Sequence, residues 1–506
     1  MLAAWALSTP HAATAGIERV LVVIWCVEED LGRCALPLTP SDAEWESRLV
    51  PEGLVDQDCF AGTPEVSAAC LDDRSSLLGG AVEVPVELQP GRADLPPARD
   101  GEPALYVRVH SRFVSDDVDA SLLRMRVLNL ASATILPAAV FFLAGLRIRR
   151  AMIASAVLLV PLGLSLMTSL DTTAWTVTGA LVTWAAVLTA LEPGARWPRG
   201  AAALVAVVGS MLALTPVSAD PMRTGSILGL SVALAVGLRL LDERPGPVLR
   251  RRVFQFMVGA GTAAALWRTF QPIPWDLGLL AGSQPLRNVF MLPGAVGDIV
   301  GRGVGLGHAD TRMAGWVGVI VIGTVLLLML AGLRRAGGWA RTFALAVAGF
   351  AALQATHVVM RVGATMDAGL YTGRHFLPFG LLAVAAAVAA QDVDRRGAQP
   401  RSGLLPKLGS AGNRAARTVA LVLAVTLAAA HSAALHTQIQ RYVADAPARD
   451  LWPVEAGWWW ELPFGPGAVW AAGSGAFLAL ALLALPAMVP GSRRTVDTST
   501  SRPVSA

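Results

Sequence analysis

Lysine is almost missing from this chain. Of its 41 basic residues only Lys407 is a lysine; the others are arginines. Tyrosine is nearly as scarce, with three in 506 residues, and no cysteine follows Cys70. No GxxxxGK[ST] stretch occurs, which excludes P-loop handling of nucleotides. Charge of either sign is thin at 15%, against about 25% in soluble domains. The arginines stand in short groups between apolar runs instead of forming one basic face, so a nucleic-acid partner is excluded.

What is abundant is hydrocarbon. Hydrophobic residues make up 54% of the chain, in repeated runs of roughly 18–22 residues, enough to cross about 30 Å of lipid. The runs lack the alternation of a membrane β-barrel, and helices are the other way to satisfy a backbone in lipid. The expected fold is an all-α polytopic membrane protein. It is a bundle of about 11–12 transmembrane helices with a large extracytoplasmic N-terminal loop carrying short strands.

Four regions follow. Residues 1–16 read as a truncated first helix or a signal remnant, since no basic n-region precedes the apolar stretch. Residues 17–126 form a polar loop domain with 21 acidic residues and ten arginines. In it, Val82–Glu87 alternates like a strand, and Leu105–His110 reads as a strand or as a helix start. Residues 127–489 hold the bundle, with spans placed at 127–146, 152–169, 173–191, 201–217, 224–241, 253–269, 315–334, 341–361, 376–391, 416–435 and 468–489. A Gly-rich stretch at 285–301, broken by Pro293, is too weak to count as a crossing. Residues 490–506 are Ser/Thr/Pro-rich and expected to be a disordered cytoplasmic tail.

Arginine counting orients the spans. Alternate loops and their edges hold 22 of the 41 basic residues, and the intervening loops hold nine. Basic loops stay in the cytoplasm, so the expected location is the plasma membrane, multi-pass, with the Arg374 region and residues 17–126 outside. That places Cys26, Cys34, Cys59 and Cys70 where disulfides persist. Their spacing matches no CxxC pair, so disulfides are favoured over a zinc site.

One polar island stands out: Asp367-Ala-Gly-Leu-Tyr-Thr-Gly-Arg-His-Phe-Leu-Pro-Phe379, at the mouth of the ninth span. Ionisable groups at membrane depth are costly, which marks them as functional candidates. Arg374 has a planar fork that matches phosphate oxygens. His375 is a donor or acid, and Tyr371 and Asp367 can shape an acceptor site. The loop before the 315–334 span adds Trp275, Asp276, His308 and Asp310 as further binding residues. His357 and His431, inside spans, read as packed interhelical hydrogen bonders.

Several segments resemble a family of actinobacterial membrane proteins catalogued as a domain of unknown function, number 2142, and the resemblance extends over most of the chain. Cys59-Phe-Ala-Gly-Thr-Pro-Glu-Val-Ser-Ala-Ala-Cys70, with Cys26 and Cys34 before it, is similar to the Cys-containing first outer loop of one branch. Phe113–Asp117 through Met125–Asn129 is similar to the lead into the next helix, and Ser169-Leu-Asp-Thr-Thr-Ala-Trp175 to a short outer turn. Gly373-Arg-His-Phe-Leu-Pro378 resembles a Gly-Arg-Tyr-Phe-Leu-Pro signature.

Such proteins look like multi-spanning (GT-C) glycosyltransferases. The resemblance implies an extracytoplasmic glycosyltransferase-like protein that uses a polyprenyl-phosphate sugar in cell-envelope glycan assembly. Membrane lipid, that donor and an envelope glycan would be its partners. Arg374 would hold the donor phosphate. Glu18, or an outer-loop Asp, would supply the base, with a divalent metal ion as the candidate cofactor. The family's acidic Pro-Asp-Glu-x-x-His motif stands here as Ala15-Gly-Ile-Glu-Arg-Val20, so the catalytic motif is degraded. The alternative is a non-catalytic transporter, flippase or scaffold of envelope biogenesis.

Overall fold

The computed structural model describes residues 1–10, 24, 46–51, 66–68, 81–86, 105–115, 117–192, 196–214, 221–242, 297, 299–300, 306, 311–365, 372–392, 410–444, 452, 458–460 and 462–488. Within them the chain is a helical, multi-pass membrane protein. Thirteen α-helices are described: α1 (Leu2–Leu7), α2 (Leu105–Ser111), α3 (Val118–Leu143), α4 (Leu146–Val157), α5 (Leu162–Thr168), α6 (Thr173–Leu191), α7 (Arg196–Leu214), α8 (Pro221–Asp242), α9 (Gly315–Arg335), α10 (Gly338–Thr365), α11 (Thr372–Ala389), α12 (Ser410–Val443) and α13 (Pro466–Met488). Two short strands, Glu46–Pro51 and Ala81–Val86, pair antiparallel, with Glu46 opposite Val86. The ambiguous Leu105–His110 stretch is helical, as α2.

Six described helices are long and apolar enough to cross a membrane, the ones within α3, α6, α8, α9, α12 and α13, or seven if the bent pair α4–α5 counts as one. The expected 173–191 span is α6 to the residue. The expected unbroken span 152–169 is corrected. α4 and α5 meet at a 97° bend. Pro161 has no N–H to carry the α-helical ladder onward, and Leu158, Leu159 and Val160 instead donate to carbonyls three residues back. The expected span at 253–269 and most of 285–301 lie outside the described residues.

Around this break the bundle closes on α11, which is enclosed by α4, α5, α6, α8, α9 and α10. Its residues Leu377, Leu381, Leu382, Ala385 and Ala386 are fully buried. Ser155 Oγ donates to the α11 carbonyl of Leu381 at 3.1 Å, tying the end of α4 to that helix. Small residues allow the closest approaches. A methyl group at Gly179 of α6 would lie 2.6 Å from the Gly209 carbonyl of α7, and one at Gly332 of α9 would strike the Ala387 carbonyl of α11.

Arginines finish the helix ends. Arg149 donates to Phe142 O (2.9 Å), Arg199 to Glu192 O (2.9 Å), and Arg341 to Leu333 O (2.9 Å) and Ala336 O (3.2 Å). In each case a side chain early in one helix satisfies carbonyls that the preceding helix leaves without a ladder partner. Arg126, in the third turn of α3, gathers the end of α1 and the residues after it, donating to the carbonyls of Ala6, Thr9 and Pro10 at 2.9–3.0 Å. Where α3 and α6 finish, Arg147 grips Asp242 with both prongs, Nη1 to Oδ1 at 2.9 Å and Nη2 to Oδ2 at 2.7 Å. Glu192 stands 3.8 Å away.

Candidate functional site

The opposite end of the bundle, where α3, α6 and α11 begin, carries a polar centre built on the turn Ser169–Thr172 between α5 and α6. The turn is shaped by its own side chains. Ser169 Oγ accepts from the Asp171 amide (3.1 Å), and Asp171 Oδ1 accepts from the Thr173 amide (2.7 Å) at the start of α6. That second bond satisfies one of the N–H groups a helix start leaves open.

The other carboxylate oxygen faces α11. Arg374, in the first turn of α11, donates Nη1 to Asp171 Oδ2 at 2.7 Å across 203 residues of sequence. The carboxylate side chain is 6% exposed and the guanidinium 21%. Burial alone pushes the Asp171 carboxyl up. The Arg374 charge and the hydrogen bonds from Thr173 and Arg374 outweigh it and hold the group below the usual carboxylate range. Asp171 is therefore a fixed anion and a poor proton acceptor near neutral pH. Pro378 lies within α11 and has no N–H to offer the carbonyl of Arg374 four residues earlier.

Behind the turn lies a second buried layer. Asn129 of α3 donates Nδ2 to Ser169 O (2.6 Å), and its Oδ1 accepts from Trp175 Nε1 of α6 (2.7 Å). Tyr106 of α2 donates its hydroxyl to Leu170 O (2.6 Å). His110, one helical turn on, lies stacked on Tyr106 with ring centroids 4.0 Å apart. Its Nδ1 is 2.8 Å from Tyr106 O and its Nε2 is 3.2 Å from Asn129 Oδ1. Both neighbours are acceptors, so a neutral ring can donate to one of them only. Burial nevertheless lowers the imidazole to about 4, against the opposing pull of those two contacts. Burial likewise raises the Tyr106 phenol well above its ordinary value. Ile24, Val107, Val118, Leu122, Met125, Leu170 and Ala174 seal this layer as an apolar cluster separate from the main core.

Of the residues expected from sequence, Arg374 is thus placed, and it is paired. His375 lies within α11, but its side chain is outside the described residues, as is that of His357 in α10. Glu18, Asp367, Tyr371, Trp275, Asp276, His308, Asp310 and the cysteines Cys26, Cys34, Cys59 and Cys70 also lie outside the described residues. His431 is the packed hydrogen bonder expected of it, accepting from Trp5 Nε1 at 3.0 Å and stacked on Phe477. Sequence reasoning missed Asp171 as the partner of Arg374, and with it Tyr106, His110 and Asn129. The available signal was the polar run Ser169-Leu-Asp-Thr-Thr173 between two apolar stretches. Among the described residues no three His, Cys, Asp or Glu side chains converge as a metal site.

A family model described as "Predicted membrane protein (DUF2142)" matches residues 100–289. The matched region contains α2 to α8, including Tyr106, His110, Asn129 and Asp171, and ends before Arg374. No curated protein and no solved structure matches the chain.

Proposed function

We propose that this protein is an extracytoplasmic glycosyltransferase-like membrane protein, and that it takes a polyprenyl-phosphate sugar at the end of the bundle where Arg374 meets Asp171. In this reading the basic loops lie in the cytoplasm, eleven spans cross the plasma membrane, and the cysteines of residues 17–126 form disulfides outside. The observation that carries it is the partly exposed Arg374 guanidinium, braced by the buried Asp171 carboxylate. A guanidinium has five N–H donors in a rigid fork, so it can hold Asp171 and a phosphate oxygen together. The start of α11 adds the positive end of a helix dipole beside it. Asp171, held as an anion, orients the cation. The proton acceptor is then Glu18 or Asp367, with an envelope glycan as acceptor substrate.

The test is binding of a polyprenyl-phosphate sugar by the full chain in lipid nanodiscs, measured by native mass spectrometry. Arg374→Ala is expected to weaken it about a hundredfold, the loss of a charge-assisted contact. Undiminished binding by a folded Arg374→Ala protein removes Arg374 from this role.

One observation favours a second reading, a flippase or transporter. Such proteins place substrates at discontinuous helices, and α5, the short second half of the broken pair, leads into the Asp171 turn. Movement of a labelled lipid-linked sugar between leaflets of proteoliposomes, without transfer to an acceptor, would establish that reading over the enzymatic one.

A further inference from the structure

The turn bearing Asp171 is clamped from both sides by a single buried amide. Asn129 is 1% exposed. Its Nδ2 holds the carbonyl of Ser169, two residues before Asp171, and its Oδ1 holds the indole N–H of Trp175, four residues after it. An indole nitrogen can only donate and a carbonyl can only accept, so the amide has one workable orientation. Tyr106 engages the carbonyl of Leu170 between them. Two successive carbonyls ahead of Asp171 are therefore fixed by side chains from α2 and α3.

An apolar side chain of similar volume at this position would pack α3 against α6 but would leave the buried Ser169 carbonyl and Trp175 indole N–H without this partner. The amide therefore fixes where those two groups sit, and with them the turn between them. We propose that Asn129 is the positioning residue of the site. It fixes the Asp171 turn, Asp171 fixes Arg374, and the guanidinium is thereby aimed at the phosphate group of its ligand. This inference rests on the reading above that Arg374 takes a phosphate.

The experiment uses the full chain in nanodiscs with a polyprenyl monophosphate as probe, the matching polyprenol as the phosphate-free control and inorganic phosphate as a third arm. Wild type, Asn129→Leu, Arg374→Ala and the double variant are compared, with thermal melting recorded for each. Asn129→Leu is expected to weaken polyprenyl monophosphate binding about tenfold, and to weaken it no further once Arg374 is alanine. Binding of inorganic phosphate with the same dependence assigns the site to phosphate alone; binding of the lipid probe only assigns it to a lipid-borne phosphate. Should Asn129→Leu fail to fold, Trp175→Phe removes one of the two clamping bonds and keeps the ring. Equal losses from the clamp variant in both Arg374 backgrounds would overturn the inference, because the effect would not pass through Arg374. So would full binding by the clamp variant when Arg374→Ala has weakened it, a result that leaves the phosphate reading standing. Full binding by Arg374→Ala overturns both.

Discussion

Two guanidinium–carboxylate pairs sit at opposite ends of the same bundle, and they are built differently. Arg147 and Asp242 are both buried, at 5% and 4% exposure, and joined by two short contacts. Arg374 and Asp171 share one short contact, and the arginine remains 21% exposed. In the first pair every advantage of burial goes into holding the ends of α4 and α8 together, with Glu192 of α6's end alongside. In the second the carboxylate is enclosed and the cation stays partly exposed. The difference separates a latch from a presented charge, although both pairs join an arginine in the first turn of one helix to an aspartate at or beside the end of another.

The largest expected effect is at the latch. Arg147→Met leaves the Asp242 carboxylate buried without its partner and should cost about 3–5 kcal/mol, read as a lowered unfolding midpoint in detergent. Adding Asp242→Leu should recover most of the loss, because an apolar pair of similar size needs no compensation. If the single variant melts like wild type, the two pairs are not distinct in kind.

Acid should loosen the other end selectively. The His110 ring takes up a proton at about 4 in the folded protein and at 6.5 in an unfolded chain. Its contribution to stability is therefore complete above pH 6.5 and is lost as pH falls through the folded value, by about 3 kcal/mol in all. Asp171 keeps its charge through that window, since its carboxyl lies below the usual range. Hydrogen exchange at pH 7.5 and 4.5 should show α2 and the Ser169–Thr172 turn opening while the end of α8 stays protected. His110→Phe should flatten the pH dependence, and an unaltered acid limb in that variant would refute the assignment.

Arg374→Met should cost less than Arg147→Met, about 1–3 kcal/mol, because solvent reaches this site and part of the cost of an unpaired Asp171 is relieved. Comparing the two melting curves under one condition is the direct check. At the small end, Arg341→Ala removes one exposed bond to Leu333 O and one part-buried bond to Ala336 O at a helix end, and a shift above about 1–2 kcal/mol would contradict a capping role alone.

Much of this architecture could be read in advance, for identifiable reasons. α6 was legible to its bounds because Thr173–Leu191 is one apolar run with a polar turn before it. Arg374 was legible because a cation stands out against hydrocarbon. The break between α4 and α5 was hidden, since Leu158, Leu159, Val160 and Pro161 are as apolar as the helices they separate. Hydropathy cannot register a change of direction made by apolar residues. Asp171 was read as part of a short turn, and its partner lies 203 positions away. Asn129 and His110 acquire meaning only from what they touch, and Leu105–His110 fits a strand as well as the helix that brings Tyr106 and His110 one turn apart.

The arginine caps bear on how the protein is made as well as how it stands. Each of Arg149, Arg199 and Arg341 reaches seven or eight residues back to the end of the helix before it. The bond cannot exist until the second helix of a pair has begun to form, and once made it ties the two helices across their connection. These bonds therefore add to stability only once both helices of a pair are in place. A lysine at position 341 would carry the same charge but lacks the planar fork with which Arg341 reaches two carbonyls. At each of these helix ends the cation is an arginine, and its guanidinium joins a helix to the one before it.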